Sequence, residues 1–364
     1  MQDACLAPSL GEAYREHFLI GAAVNAHMLR DEQYQRLIRR QFTSITAENE
    51  MKPESLLDRE ATMALGDSIR CALRFDLADR MLSFAQACGI RVRYHTLVWH
   101  NQTPRWFFAE DWSDAPDAPL ADMETVLARQ EAYILQVMEH VNRAFPGLVY
   151  CWDVVNEAVE PAQGGPEGLR THSLWYQTTG SAFLAHAFRA ARKGQAEGQL
   201  LFYNDYNSYF PEKQEAILKV LKNLQAEHLV DGMGMQTHLD IGSLDLPAFE
   251  NGARAYAKTG LTLHITEMDI HCPGADEESQ ALLAKAYGDF FAMLLRLKGE
   301  GAKIGCATLW GVTDQYTWLR FFRKQESYPL LFSGELKTKP AFDAVMDAAK
   351  AGEKAAARWS LIRG

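Results

Sequence analysis

The sequence lacks the features that mark several classes of protein. No apolar run among its 364 residues approaches the roughly 20 residues that a membrane-spanning helix needs. The net charge is −10, from 37 Lys and Arg against 47 Asp and Glu, so the chain lacks the basic surface expected of a nucleic-acid-binding protein. Residues 1–8 contain Asp3 where a signal peptide carries positive charge, and no long apolar stretch follows. We therefore expect a cytoplasmic protein that binds neither nucleic acid nor a membrane.

The sequence also lacks the cysteine, histidine and glycine motifs that hold metal ions or phosphate groups. The six cysteines stand at positions 5, 71, 88, 151, 272 and 306 without a Cys-x-x-Cys pair, and no His-x-His or His-x-x-x-His pair occurs. We therefore expect reduced, buried thiols and no bound metal ion. The lone Gly164-Gly165 pair lies outside a strand-to-helix turn, unlike the glycine-rich loops that hold phosphate. No cofactor is expected.

The sequence does contain a repeated alternation of strand-like and helix-like segments. Eight strand-like runs occur, and several are nearly continuous apolar stretches, as in parallel strands that are covered on both faces. The runs span residues 18–25, 44–49, 91–99, 149–157, 199–207, 232–239, 261–270 and 304–312. Amphipathic helical stripes lie between them. One is formed by Leu77, Met81, Phe84 and Cys88, with Gly89 as its C-cap.

This alternation predicts the fold class. A second helical stripe, between the last two runs, is formed by Leu283, Tyr287, Phe290, Leu294 and Leu297. Eight strands that alternate with helices predict an α/β fold, a single (β/α)8 TIM barrel. No Ser/Gly-rich or Pro-rich linker and no internal repeat divides the chain. We expect one catalytic domain over residues 1–350 and an Ala- and Lys-rich tail over residues 351–364.

Polar and aromatic residues close the strand-like runs. In a barrel of this kind, catalytic residues gather at the C-terminal ends of the strands. Glu157 closes one run and Glu267 stands near the end of another. Two carboxyl groups from distant parts of the chain suit the hydrolysis of a glycosidic bond, in which one starts protonated and the other ionised. Amides, imidazoles and indoles close other runs, and these groups bind sugar hydroxyls and cover sugar rings.

Five segments resemble the signature segments of glycoside hydrolase family 10. They are Thr-Ala-Glu-Asn-Glu-Met-Lys at 46–52, His-Thr-Leu-Val-Trp-His at 95–100, Trp-Asp-Val-Val-Asn-Glu-Ala at 152–158, Ile-Thr-Glu-Met-Asp at 265–269 and Trp-Gly-Val-Thr-Asp at 310–314. They occur in the family's order, and the resemblance covers residues 18–342. It implies a retaining endo-1,4-β-xylanase that hydrolyses xylan fragments and xylo-oligosaccharides on a (β/α)8 barrel without a cofactor.

The resemblance also implies the roles of individual residues. Glu157 resembles the general acid/base and Glu267 the nucleophile, and we expect the two to converge within about 5–5.5 Å of each other. His238 is expected to donate to Glu267, and Asp269, two residues after Glu267 on the same strand face, is expected to orient His238. Asn156 resembles the ligand of the sugar 2-hydroxyl. It can share a site with Glu157 only where the strand frays or bulges, because neighbouring strand residues point to opposite faces.

The remaining candidates resemble sugar ligands on either side of the cleaved bond. They are Glu48, Asn49, Lys52, His95, Trp99, Gln102, Asn204, Tyr206, Gln236, Trp310 and Trp318. Three other tryptophans, Trp106, Trp112 and Trp175, are expected to be core residues or loop anchors. The basic and aromatic segment 319–324 is either an ordinary surface loop or a site that stacks on and pairs with acidic decorations of the substrate.

Two alternatives stay open beside the xylanase. One is a β-1,4-glucanase, or an enzyme that releases cellobiose or xylobiose, on the same scaffold. The other is a catalytically silent barrel that binds carbohydrate. A cytoplasmic enzyme would act on short xylo-oligosaccharides after their uptake, since polymeric xylan does not enter cells. These patterns favour no particular oligomeric state.

Overall fold

The computed structural model of this protein describes the backbone of residues 1–363 and the side chains of residues 1–352. The strands, in chain order, are β1 Leu19–Val24, β2 Ser44–Ala47, β3 Leu57–Asp58, β4 Ala72–Leu73, β5 Arg91–Tyr94, β6 Val98–Trp99, β7 Val149–Asn156, β8 Leu200–Asp205, β9 Gly232–Met235, β10 His238–Asp240, β11 Thr262–His271 and β12 Ile304–Leu309. Every strand-like run predicted from the sequence overlaps at least one of them.

The α-helices, again in chain order, are α1 Leu10–Ala13, α2 Glu32–Gln41, α3 Pro53–Leu56, α4 Arg59–Ala64, α5 Asp76–Cys88, α6 Met123–Ala144, α7 Leu174–Thr179, α8 Ala182–Gly194, α9 Pro211–Ala226, α10 Leu246–Ala257, α11 Glu277–Gly299, α12 Leu319–Arg323 and α13 Pro340–Arg363. Short 3₁₀ turns cover Met28–Arg30, Arg105–Phe108, Pro161–Gln163, Pro166–Gly168 and Asp314–Tyr316. None of the described helices is long and apolar enough to cross a membrane.

The chain divides into two compact units, of which the first comprises Met1–Thr46 and the described part of Met235–Gly364. Its strands lie in the order β10, β11, β12, β1 and β2. The pairs β10–β11, β11–β12 and β1–β12 are parallel. Helix α11 packs against α13, and the predicted stripe from Leu283 to Leu297 is buried, as expected from its spacing.

The second unit, Ala47–Gly234, holds the order β5, β7, β8 and β9. The pairs β5–β7 and β7–β8 are parallel, and the short strand β6 also pairs with β7. The predicted run 91–99 is therefore two strands, because residues 95–97 leave the ladder. There, the Thr96 hydroxyl and the Leu97 N–H both donate to the main-chain carbonyl of Asp153, at 2.9 Å each.

Helix α5 corrects one sequence prediction. Its buried face is formed by Ala78, Met81, Leu82 and Ala85, whereas Leu77 is 39% exposed. The stripe predicted through residues 77, 81, 84 and 88 is thus rotated away from the true buried face. The cause is that two small alanines, which carry little hydrophobic signal, face the core. The predicted C-cap is confirmed: Gly89 has φ +65°, and its N–H donates to the carbonyl of Ala85.

All six cysteines are free, and four of them are buried. Cys5 and Cys88 are only half-buried, so the expectation of uniformly buried thiols is wrong for these two. Trp106, Trp112 and Trp175, expected to be core residues or loop anchors, are all buried. The single domain over 1–350 and the separate tail over 351–364 stay predictions. Helix α13 runs through residues 351–363, and Gly364 lies outside the described residues.

Candidate active site

Glu157 directly follows the end of β7 in a left-handed backbone conformation. Its φ is +56°, a value that side-chain-bearing residues rarely adopt. The ladder between β7 and β8 is irregular between Asp153 and Val155, so the strand is disturbed just before its end. Asn204 O accepts a 2.9 Å hydrogen bond from the Glu157 N–H. This conformation meets the condition under which Asn156 and Glu157 can face one site.

The Glu157 carboxyl group lies against the indole of Trp99. Nε1–H of Trp99 donates to Oε2 of Glu157 at 2.9 Å. His100 Nδ1 lies 3.9 Å from the same oxygen. Burial, reinforced by the positive charges of Arg170 and Lys213, lowers the pKa of His100 to about 3. His100 is therefore neutral near pH 7 and does not form an ion pair with Glu157.

Behind this carboxyl group, two amides and a buried ion pair order the strand ends. Asn204 Nδ2 donates to Oδ1 of Asn156 at 2.9 Å, and both side chains are buried. His95 Nδ1 lies 2.9 Å from Oδ2 of Asp153, and the guanidinium of Arg93 pairs with the same carboxylate. His95 is thereby held in one orientation by a buried, charged network.

A second group of predicted sugar ligands lies around Asn49. Lys52 Nζ donates to Asn49 Oδ1 at 3.4 Å, and Gln102 Nε2 donates to the same oxygen at 3.2 Å. The Lys52 ammonium lies 4.7 Å from the centroid of the Trp99 ring, within cation–π range. Lys52 is buried rather than a solvated surface charge. Glu48, directly after β2, is half-buried.

A polar network on the other side of Glu157 contains residues that the sequence did not suggest. Arg170 Nε donates to the main-chain carbonyl of Glu157 at 3.0 Å. Its Nη2 donates to the Tyr206 hydroxyl at 2.9 Å and lies 3.2 Å from Oε2 of Glu160. The Tyr206 hydroxyl donates to Glu160 as well. Lys213 Nζ lies 3.3 Å from the centroid of the Tyr206 ring.

The charges in this network keep Glu160 ionised. Burial alone would raise the pKa of Glu160, but the hydrogen bond from Tyr206 and the positive charges of Lys213 and Arg170 together lower it. Lys213 Nζ is also 2.8 Å from Oδ1 of Asp205. The predicted ligand Tyr206 thus belongs to a hydrogen-bonded cluster that contains two cations, Arg170 and Lys213, and the carboxyl groups of Glu160 and Asp205.

In the first unit, β11 carries Glu267 and Asp269, and both are buried. Strand β10 pairs with β11 in a register that sets His238 opposite Asp269. His238 Nδ1 lies 2.9 Å from Oδ1 of Asp269, and His238 Nε2 lies 3.3 Å from Oε2 of Glu267. The structure thus brings His238 against both Glu267 and Asp269, and the role of Asp269 in orienting His238 stays a prediction.

Two carboxylates make His238 a cation. Burial by itself would lower the pKa of His238, but the charges of Asp269 and Glu267 and their hydrogen bonds outweigh it and raise the pKa to about 10. An imidazolium at this position donates to both carboxylates. Its charge favours an ionised Glu267, which is the state that a nucleophile needs.

Trp318, Trp310 and Gln236 complete this group. Trp318 Nε1–H donates to Oδ2 of Asp269 at 2.7 Å, and its ring centroid lies 4.9 Å from that of His238. The ring centroids of Trp310 and His238 are 6.3 Å apart in an edge-on arrangement. The Gln236 carbonyl accepts a 3.0 Å hydrogen bond from the Glu267 N–H. The predicted residues of this unit are therefore all within one connected cluster.

Known proteins resemble this chain over most of its length. Residues 9–348 match the profile of Glycosyl hydrolase family 10. The chain belongs to this family. Endo-1,4-beta-xylanase B of Butyrivibrio fibrisolvens is 43% identical over 94% of the chain and 53% of its own length. A thermostable celloxylanase of Thermoclostridium stercorarium is 34% identical over 95% of the chain and 89% of its own length.

Among solved structures, the N-terminal xylanase 10B of Clostridium thermocellum in complex with xylohexaose superimposes with a TM-score of 0.86. The two chains are 30% identical in sequence. The matched region covers 94% of this chain and 67% of the Clostridium thermocellum chain. Family membership and this similarity confirm the predicted fold class, a (β/α)8 barrel. The chain spans 53% of the length of the Butyrivibrio relative and only 30%, 31% and 34% of three others.

The family 10 motifs did not reveal Arg170, Glu160 or Lys213. Arg170 follows Glu157 by thirteen positions, in a stretch that contains two 3₁₀ turns and no strand. Lys213 lies in the first turn of α9, and a lysine at such a position is ordinarily predicted to be a solvent-exposed surface charge. The sequence holds one weak signal, which is that Arg170 is the first cation after Glu157.

Proposed function

We propose that this chain is a retaining endo-1,4-β-xylanase that hydrolyses β-1,4 xylosidic bonds in xylan fragments and xylo-oligosaccharides. Membership of glycosyl hydrolase family 10 and the names of its relatives support the substrate class. The observation that carries the mechanism is the buried Glu267 carboxylate beside the His238 cation, at 3.3 Å. A carboxylate held ionised in a buried place is suited to attack a carbon centre.

The proposed reaction has two displacements. In the first, the Glu267 carboxylate attacks the anomeric carbon while the bond from that carbon to the leaving oxygen breaks, and Glu157 transfers its proton to that oxygen. The product is a xylosyl ester of Glu267. In the second, the Glu157 carboxylate takes a proton from water, the water oxygen attacks the anomeric carbon, and Glu267 leaves. Two inversions retain the β configuration.

The polar residues around the two glutamates are proposed to hold the substrate. Asn156 is assigned to the 2-hydroxyl, a contact that strengthens in the transition state. Asn49, Lys52 and Gln102 share hydrogen bonds and so present one preorganised polar group, to which Glu48 is added from the family pattern. The other proposed sugar contacts are His95, Trp99, Asn204, Tyr206, Gln236, His238, Trp310 and Trp318. No step requires a metal ion or a cofactor.

Azide trapping tests both assigned roles at once. With an activated aryl β-xylobioside, Glu157→Ala should still form the ester, and azide should then open it to a β-xylobiosyl azide. Glu267→Ala should form no ester, so azide should displace the aryl group directly and give the α anomer. Proton NMR distinguishes the two products. A wild-type enzyme whose first product is α-configured, or a Glu157→Ala variant with full turnover on xylan, overturns the proposal.

A β-1,4-glucanase is the second candidate, since one relative is named a celloxylanase. The test compares kcat/KM on aryl β-xylobioside and on aryl β-cellobioside. The xylanase proposal predicts the larger value on the xylobioside, and the reverse order supports the glucanase. A catalytically silent carbohydrate-binding barrel predicts binding without turnover on either substrate.

The size of the substrate and the site of action stay predictions. A cytoplasmic enzyme would meet only short xylo-oligosaccharides, so its kcat/KM on xylotetraose should exceed that on polymeric xylan. Comparable values on the two substrates would contradict this.

A further inference from the structure

Three aromatic residues lie on one face of the short helix α12. Trp318 precedes the helix, and the N–H groups of Phe321 and Phe322 both donate to the Trp318 carbonyl, at 3.1 and 3.0 Å. The spacings i, i+3 and i+4 bring the three side chains to the same side of the turn. The ring centroids of Trp318 and Phe322 are 4.8 Å apart. We name Trp318, Phe321 and Phe322 the aromatic face.

This face is open to solvent although it is made of large apolar rings. Phe321 is 92% exposed and Phe322 is 67% exposed. No other phenylalanine among the described residues is as exposed, and the next, Phe210, is 47% exposed. Single exposed apolar residues are common, but two adjacent exposed rings that continue a third ring mark a contact surface.

The opposite side of the helix is anchored, so the aromatic face is held in place. Leu319 is buried, and Arg323 Nη1 lies 2.6 Å from Oδ2 of Asp240. Arg320 Nε lies 3.2 Å from Oε2 of Glu326. A surface whose orientation is already fixed loses less conformational entropy when a ligand binds to it.

The aromatic face is continuous with the proposed nucleophile. The Trp318 indole donates to Asp269 and lies 4.9 Å from the His238 ring, which in turn contacts Glu267. Ring faces suit the apolar faces of pyranose units. Of the cations in the segment, Arg323 pairs with Asp240 and Arg320 with Glu326, which leaves Lys324. The exposed rings of Phe321 and Phe322 therefore dominate this surface, which favours a neutral sugar over the acidic decoration considered from the sequence.

We propose that Phe321 and Phe322 extend the substrate-binding surface beyond Trp318 and stack against a neutral xylosyl residue remote from the cleaved bond. This inference rests on the proposed function, because it names a further contact of the same substrate. The contact is made only by substrates long enough to reach the two rings. Short substrates are bound without it.

The test compares long and short substrates on the full chain. The double variant Phe321→Ser/Phe322→Ser should lower kcat/KM on xylohexaose about tenfold, chiefly through KM. On aryl β-xylobioside the change should stay below twofold. The single variant Phe322→Trp, which keeps a stacking ring at this position, should retain most of the wild-type activity on xylohexaose. The control is Leu282→Ser, which removes an exposed apolar side chain of α11 and should leave both values unchanged.

Four results overturn the proposal. The first is an unchanged kcat/KM on xylohexaose in the double variant. The second is an equal loss on both substrates, which indicates a disturbed catalytic centre. The third is a loss confined to glucuronate-decorated oligosaccharides, which indicates recognition of the acid. The fourth is a loss of activity on xylohexaose in Phe322→Trp as large as that in the double variant. If the wild-type protein hydrolyses neither xylo-substrate, the proposed function itself has failed, which is a distinguishable outcome.

Discussion

The Arg170 guanidinium donates a 3.0 Å hydrogen bond to the main-chain carbonyl of Glu157, the residue whose φ is +56°. The main-chain N–H of Arg170 also donates to the carbonyl of Ala158, at 2.8 Å. Arg170 thus forms hydrogen bonds to the carbonyl groups of both Glu157 and Ala158, and so restrains the backbone on the C-terminal side of the strained residue. Strained backbone of this kind persists only where its surroundings hold it.

The first prediction is that Arg170 positions Glu157. Arg170→Met should lower kcat on aryl xylobioside about 10- to 100-fold, because a hydrogen bond that involves a charged group contributes about 1.5–3 kcal/mol. Arg170→Lys, which keeps the charge but not the fork of donors, should recover only part of the loss. Steady-state kinetics measures both.

Arg189 offers the matched control for this experiment. Its pair with Glu227 is half-exposed, so Arg189→Met should leave kcat unchanged. A full-rate Arg170→Met variant would show that Glu157 keeps its conformation without the guanidinium.

A second prediction concerns Asp269, whose two oxygens accept from different partners. Oδ1 binds His238 at 2.9 Å, and Oδ2 binds Trp318 at 2.7 Å. Asp269→Asn replaces one carboxylate oxygen with an NH2 group, so that one N–H donor faces another, that of His238 or of Trp318. We expect kcat to fall about 100-fold, equivalent to about 2.7 kcal/mol, and KM to change less than threefold. The exposed Asp289→Asn is the control. A fall in KM alone would contradict this role.

The third prediction concerns stability and pH. The pKa of His238 is raised from 6.5 to about 10 in the folded protein. The stabilisation from its charge is therefore fully present below pH 6.5 and is lost as the pH rises toward 10. The wild type should exceed His238→Gln in free energy of unfolding by about 1–3 kcal/mol at pH 6, and this difference should shrink at pH 10. Thermal unfolding across this range measures it.

His172, which is exposed, supplies the control for the pH series. The stability of His172→Gln should follow that of the wild type at every pH. A wild-type advantage over His238→Gln that grows between pH 6.5 and 10 would have the wrong sign for a raised pKa.

The fourth prediction concerns Arg129, a buried cation in α6. It donates hydrogen bonds to the main-chain carbonyls of four residues: Ser68, Phe107, Ala109 and Glu110. Arg129→Met removes these donors and leaves carbonyls buried without them, so the free energy of unfolding should fall by about 3–5 kcal/mol. Chemical denaturation measures the loss. Arg189→Met should cost less than about 1 kcal/mol, and equal losses in the two variants would refute the assignment.

The strands were predictable because each is a short, local pattern. The runs 149–157 and 304–312 correspond to β7 and β12 with only their ends shifted, since continuous apolar stretches leave few other structures open. Helix α5 was predicted with the wrong face, because its buried side contains alanines. Run 232–239 divides into β9 and β10 around Thr237, whose φ of +66° no sequence pattern indicates.

The contacts of the site were predictable where strand register determines them. His238 contacts Asp269 because β10 and β11 pair in parallel with these two residues opposite each other. Both residues could be predicted as site residues because each is a polar residue near the end of an apolar run. The role of Arg170 could not be predicted, because this residue lies in an irregular segment. Its side chain is positioned by hydrogen bonds to Glu160 and Tyr206 rather than by the register of a strand. Lys213 was missed for the same reason, since a helix gives no indication of which distant ring its first turn covers.

The sequence by itself determined the alternation of strands and helices, the family, and the presence of Glu157 and Glu267 on two of the strand-like runs. These features depend on which residue types recur at short spacings, because the periods of strands and helices are local properties of the backbone. Only the tertiary structure decided that His238 is a cation, that Arg170 holds the backbone of Glu157, and that Phe321 and Phe322 stand exposed beside Trp318. Charge state and exposure depend on which distant groups come close in space, and spacing along the chain does not contain that information.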